Sequence, residues 1–399
     1  MTGSHNANDS SVMAVVQRPP ATGGTPDQCG PNDAEALFRE AKRRERRRRL
    51  AWLGIVVIIV GALAAVFATT RPSPTSPSHI PKLTSSGRLK STGLPVGAIV
   101  SLQHAGPLAV SPNGALYVAD AARHEILVRL SDGRFGVVAG DGKAGYSGDG
   151  ELATKAQLSG VSDITFAPNG DLYIADGERV RVVEGNGRIH TLVGDGGSAT
   201  VVANGTLALS AALDPVASIA FSPSGQLYLA TRSQLLRLSA SDQLEVVPAV
   251  VTSGVNANRG PLSDFGAIAV DAQGNVYASS TFAGWSIFKI SPDGVATYLG
   301  YARRSGGNTA VVERGPGGAI EADDGPIVLR VQGTRLVTAY AVNHVPGIKE
   351  FVFMDYFALA PNGTLYADNL GPPAFEPYQQ IVSVNNDHAL SLWQGAARR

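Results

Sequence analysis

One phrase returns five times between residues 107 and 370: a short apolar run, a polar turn ending in Gly, and a second apolar run carrying Leu-Tyr or Val-Tyr. The copies are PLAVSPNGALYVAD (107–120), SDITFAPNGDLYIAD (162–176), ASIAFSPSGQLYLAT (217–231), GAIAVDAQGNVYASS (266–280) and YFALAPNGTLYADN (356–369). A unit that recurs at a spacing of this kind is one supersecondary element stacked on itself, so the repeat constrains the fold before any single residue does. The run before each turn alternates with period two, as in Leu108 and Val110, Ile164 and Phe166, and Ile219 and Phe221, which is the pattern of a β-strand. The turns Asn113-Gly114, Asn169-Gly170, Ser224-Gly225, Gln273-Gly274 and Asn362-Gly363 put Gly where a hairpin needs positive φ. Three residues past each Gly stands a tyrosine: Tyr117, Tyr173, Tyr228, Tyr277 and Tyr366.

Two further strands are expected in most copies, such as 125–130 and 135–139 after the first, and 179–183 and 189–193 after the second. Four antiparallel strands per unit make a propeller blade. The turn glycines lie 56, 55, 49 and 89 residues apart, and the last gap is nearly two blades wide. A degenerate copy is therefore expected inside it, at Gly318–Val331 with its turn at Asp324-Gly325. The fold class read from this pattern is all-β, a six-bladed β-propeller. Residues 96–102 are expected to close the ring by completing the last blade.

With 44% of its 399 residues hydrophobic and 17% charged, the chain has ample material for a core. The net charge is zero, but nine Lys/Arg face six Asp/Glu in residues 1–50, leaving 24 against 27 in residues 71–399. A domain without a basic surplus is not built for nucleic acid. The lone cysteine, Cys29, cannot form an intramolecular disulfide, so the repeats must be held by packing.

Residues Leu50–Thr69 read LAWLGIVVIIVGALAAVFAT, twenty residues without a charge. As a helix rising 1.5 Å per residue they reach about 30 Å, the thickness of a bilayer core. Eight cations crowd residues 39–49 on one side, and only Arg71, Lys82, Arg88 and Lys90 follow on the other. The positive-inside rule then puts the N-terminus in the cytoplasm and the repeats outside. A cleaved signal peptide has a shorter apolar stretch and a shorter leader, so an uncleaved single-pass anchor in the cell membrane is the expectation. The domain plan is a disordered tail with a basic juxtamembrane segment (1–49), a transmembrane helix (50–69), a Pro/Ser/Thr linker (70–93) and the propeller (94–399).

The segment LYVADAARHEILVRL and the Gly/Asp-rich GDGKAGYSGDGELATKAQL (140–158) resemble the NHL repeat and the segment between bacterial NHL blades. The resemblance covers about residues 96–395 and is strongest over the first two copies. It implies a six-bladed propeller that serves as a protein- or ligand-binding platform, in bacteria often as an extracytoplasmic sensor joined by one span to a kinase. Here about 50 residues precede the span, so no kinase is expected and the expected role is a binding or sensor module. The alternative it leaves open is a propeller enzyme, a metal-dependent lyase or hydrolase acting on a small substrate in the channel. No paired His spacing and no Gly-x-Ser-x-Gly supports that alternative in the sequence, and no cofactor is expected.

The loop 140–159 is the first candidate for contact with a protein or envelope ligand, with Asp141, Lys143, Tyr146, Asp149 and Glu151 as its reactive side chains. Its carboxylates are donors of the kind Ca²⁺ takes, but their spacing fits no EF-hand, so whether a metal binds stays open. A second candidate is the Gly-rich stretch 301–318 with Arg303, Arg304 and Arg314, suited to an anionic polymer. Six residues past the turn glycines stand Asp120, Asp176, Thr231 and Ser280, with Asp368 one place before the corresponding position in the last copy. These are candidates for a polar channel mouth, or else for hydrogen bonds to neighbouring backbone.

Overall fold

The computed structural model describes residues 93–252, 260–282, 286–302, 310–324, 327–341, 354, 356–370, 379–385 and 388–394. The chain divides into two units, Met1–Lys82 and Leu83–Arg399. The tail, the span expected at 50–69 and nearly all of the linker lie outside the described residues. Among the described residues, no helix is long and apolar enough to cross a membrane.

The second unit is six sheets of four or five strands arranged as blades, antiparallel except where Val250–Val251 runs parallel to Val295–Tyr301 in blade four. Their innermost strands are Ala105–Val110, Val161–Phe166, Val216–Phe221, Phe265–Val270, Val312–Arg314 and Phe357–Leu359, and each packs against the next around the ring. The second strands are Leu116–Asp120, Leu172–Asp176, Leu227–Thr231, Val276–Ser280, Ile320–Asp324 and Leu365–Leu370. Two more strands carry each blade outward. The turn glycines 114, 170, 225, 274 and 363 all have φ between +79° and +91°, the left-handed region where other residues are strained.

The repeated tyrosine has a packing reason. Tyr117 of blade one meets Phe166 on the inner strand of blade two edge-to-face, with ring centroids 4.8 Å apart. Tyr173 of blade two repeats this with Phe221 of blade three at 4.7 Å. Blades one and two thus each set an aromatic against the inner strand of the next, and burial raises the Tyr117 phenol above its ordinary pKa.

Blade five departs from the expected register. Its first turn is at Pro316–Gly318, where Gly318 (φ +83°) donates to Gly315 O as Gly114 does to Ser111 O. The expected turn at Asp324-Gly325 instead falls between its second and third strands, Ile320–Asp324 and Ile327–Gln332. The reason lies three residues past Gly318, where Glu321 replaces the tyrosine. Glu321 is buried and ion-paired with Arg330 at 2.5 Å.

The ring also closes differently from the expectation. Ile99–Val100 pairs with Phe135 and Gly136 on the outer strand of blade one, not with blade six. Every blade is built from its own stretch of chain, and among the described residues blades one and six meet through side chains. Leu102, Ala105 and Leu108 pack with Ala358 and Ile381 in one buried cluster. The N-terminal segment serves the outer rim, where an exposed strand edge invites unwanted pairing. Added pairings of the same kind cover blade two (Leu152 with Arg188), blade three (Thr206–Leu207) and blade four (Val250–Val251).

Candidate functional site

The Gly/Asp-rich loop is a strap bound along blade two. It leaves the outer strand of blade one at Gly140 and runs beside the strand Ile189–Val193. There Gly150 N–H donates to Ile189 O, Ile189 N–H to Glu151 O and Ala153 N–H to Gly187 O. It returns between the two blades, burying Ala153, Ala156 and Leu158 in their shared core. A fully buried cation pins it from below. Arg181 donates to Gln157 O and Ser147 O, both at 2.8 Å, and to Asp149 Oδ1 at 2.7 Å, and lies 3.6 Å from Asp176.

Above this clamp Tyr146 donates to Asp149 Oδ2 at 2.8 Å, and Arg179 stacks 3.6 Å over the ring. Burial works against the charge on Asp149, but the bonds from Arg181, Thr191 and Tyr146 hold its carboxyl below the ordinary range. Asp149 and Tyr146 are therefore engaged within the strap. Asp141, Lys143 and Glu151 are exposed on it, with Asp141 Oδ1 accepting the Lys143 N–H. The structure brings none of these carboxylates together as metal ligands, and among the described residues no three His, Cys, Asp or Glu side chains do so.

A second strap, not singled out in the sequence, covers residues 194–213. Gly140-Asp-Gly and Gly194-Asp-Gly start the two, and Ala153-x-x-Ala-x-Leu158 and Ala208-x-x-Ala-x-Leu213 end them, with all six Ala and Leu residues buried. The matching end motifs are a signal that could have found it.

The polar residues at the ends of the second strands are buried and tied to backbone. Asp120 accepts the N–H groups of Gln103, His104 and Ala122, and Asp176 those of Ser159 and Gly160. Ser280 donates to Ser263 O, Thr231 bonds across its own turn to Gln234, and Asp368 accepts from Tyr356 N–H. Asp323 of blade five, absent from the sequence candidates, does the same for Val311. All but Thr231 fasten strand ends to the lead-in of an inner strand, and none of them lines the channel. Arg303 and Arg304 lie outside the described residues.

The channel itself holds a cavity of about 850 Å³ lined by the six inner strands and their turns. One row of its lining comprises the residues paired across each hairpin with the repeated tyrosines: Ala109, Thr165, Ala220, Ala269 and Ala358. In blade five the row is completed by Glu313, paired with Glu321. Four alanines leave the lumen open. On the inner strand of blade two, a β-bulge between Val161 and Asp163 re-aims Asp163 into the same space. Its Oδ2 accepts the Ser218 hydroxyl at 2.7 Å and Ile219 N–H at 2.9 Å, and Ser218 Oγ accepts Ile268 N–H at 3.1 Å.

Both acids keep some solvent contact through the lumen, although blades surround them on every side. Burial pushes the Asp163 carboxyl up to about 6, against the bonds from Ile219 and Ser218. Burial drives Glu313 well above the carboxylate range, and the Asp163 charge pushes it the same way. Arg314, the remaining charged residue among the described lining, is exposed at the mouth beside Gly318. Neither acid was legible in the sequence, because only the closed ring brings blades two and five to one lumen.

Comparison with known proteins agrees with the repeat. Residues 135–203 match the family model of the Teneurin NHL domain. The chain is 32% identical to Teneurin-m of Drosophila melanogaster over 144 residues, 32% of this chain and 5% of that protein. It is 35% identical to Teneurin-1 of Caenorhabditis elegans over 114 residues, 26% of this chain and 4% of that protein. The chain thus spans about a twentieth of the length of these relatives. Among solved structures, virginiamycin B lyase from Staphylococcus aureus superposes with a TM-score of 0.45 at 12% identity, over 74% of this chain and 87% of that one. A gluconolactonase from Xanthomonas campestris gives 0.44 at 13%, over 67% and 84%. At such scores neither likeness speaks to what this chain does.

Proposed function

The chain carries an NHL-repeat β-propeller, and from that premise we propose that it is a single-pass, membrane-anchored binding module whose propeller sits outside the cytoplasm and takes its ligand in the axial channel. The observation that carries this reading is the cavity of about 850 Å³ kept open by a row of alanines, within the size range of small-molecule sites. The straps are the least supported docking surface for this role, because blade two and the buried Arg181 engage most of the polar groups of the first one. The anchor and its orientation rest on the apolar run Leu50–Thr69 and the eight cations before it. A reporter active only outside the cytoplasm, fused at Arg399, should be active; an inactive fusion overturns the orientation.

The ligand reading is tested by screening small molecules for thermal stabilisation of the full-length chain beside Thr165→Trp, which fills the lumen. Ligands that raise Tm in the wild type and not in the filled variant support it. A screen without hits, or hits indifferent to the substitution, rejects it. A ligand recovered chemically altered would make the chain a propeller enzyme instead.

A further inference from the structure

Two acids share the lumen, and among the described residues no cation answers either of them. Asp163 is held by a hydroxyl and backbone N–H groups, all neutral donors. At Glu313 the stabilising contact is the backbone N–H of Arg314, and among the described residues no cationic side chain acts on it. Elsewhere in the described domain Glu125 pairs with Arg123, Asp176 with Arg181 and Glu321 with Arg330. The buried Asp120 and Asp271 are held by neutral donors but, unlike Asp163 and Glu313, do not face the lumen. Desolvated carboxylates without a counter-charge are costly to keep, and a fold that retains two of them at one cavity leaves the counter-charge to an occupant.

The placement defines what that occupant looks like. Blades two and five lie three steps apart in a ring of six, so the acids approach the lumen from opposite sides. Between them the wall is Ala109, Ala220, Ala269 and Ala358, which gives an apolar waist. A bare divalent ion needs six or more oxygens gathered within about 2.5 Å, and this geometry spreads its two carboxylates apart. An organic cation meets the requirement better: ammonium groups reach the acids while a short alkyl body covers the alanines.

Resting on the reading of the channel as a ligand site, we propose that its ligand is a small aliphatic amine, bound as the ammonium form through Asp163 and Glu313. Arg314 at the mouth is the remaining charged group of the described lining and would discriminate against more cationic, bulkier ligands. Binding weakens as the two carboxyls take up protons, and burial and their mutual repulsion bring that uptake to a higher pH than for free carboxylates.

Calorimetric titration of the full-length chain at matched ionic strength tests this with 1,4-diaminobutane, butylamine, butyrate and calcium chloride as probes. The amines should bind saturably and butyrate should not. Asp163→Asn and Glu313→Gln should each weaken diaminobutane at least tenfold, and the wild type should lose at least tenfold between pH 7.5 and pH 5. The pH arm needs no variant to fold. Absence of amine binding, amine binding that both variants retain, or calcium binding that amines do not displace each overturns the proposal. Neutral or anionic ligands excluded by Thr165→Trp would overturn the amine and keep the channel; no channel ligand of any kind removes both.

Discussion

Asp163 acquires its chemistry from one bulged residue in an inner strand. In the unfolded chain its carboxyl titrates near 3.8, and in the fold burial moves it up to about 6. The native state therefore holds more protons than the unfolded one between those values, and stability falls as pH rises through that window. The stabilisation from this group is complete below about pH 4 and lost above about pH 6, and Glu313 acts in the same direction. Asp163→Asn should remove its share of the slope, about 2 kcal/mol between pH 4 and pH 7. Urea unfolding midpoints of wild type and variant across that range measure it directly. A difference between the two that does not change with pH would mean that Asp163 stays charged in the fold. None of this is visible in the phrase SDITFAPNG, where Asp163 reads as one polar residue in an alternating strand. Its partner Glu313 is 150 residues away, and only ring closure makes them neighbours in charge.

At the scale of the element, the straps show why a repeat can hide in plain view. The hairpins were legible because each position has a local physical duty: Gly for positive φ, tyrosine for the next blade's inner strand. The straps vary between their ends, and only the ends are constrained. Gly140 and Gly194 open them at φ +98° and +94°, each with its Cα against a carbonyl oxygen of the neighbouring turn, His124 O and Glu178 O. A Cβ at either site would overlap that oxygen, so strain and clash act together. Gly140→Ala and Gly194→Ala should each destabilise the domain by about 2–3 kcal/mol, and the double variant by nearly the sum. Gly114→Ala is the comparison, since it shares the positive φ but meets nothing within 4 Å. It should cost about 1 kcal/mol. Equal losses at all three sites in denaturant titrations would show that the close approach at the straps contributes nothing. Blade five was misphased for the complementary reason. Where Glu321 stands for tyrosine, the strand is fixed by an ion pair with Arg330, which no hydropathy pattern records.

For the whole molecule, the consequence of self-contained blades is a seam. A propeller that shares one strand between its first and last blades locks the ring with backbone hydrogen bonds. Here the N-terminal strand Ile99–Val100 stays on the rim of blade one, so among the described residues blades one and six are joined by packed side chains. Side-chain packing is short-ranged and is lost all at once when the surfaces part, whereas a shared strand would have to be peeled bond by bond. The closing contact centres on Ile381, fully buried among residues of blade one. Ile381→Ala should cost about 2–5 kcal/mol, as should Leu229→Ala, a fully buried site within the second strand of blade three. The two should differ in where the cost appears. With the seam weakened, amide exchange should accelerate first at Ala105–Val110 and Phe357–Leu359, the inner strands that meet there, and leave Val216–Phe221 protected. Leu229→Ala should accelerate blade three and leave the seam intact. If both variants speed exchange evenly around the ring, closure is as cooperative as any other blade contact. In that case the ring has no preferred place to open, and the axial channel has no route for a ligand other than its two mouths.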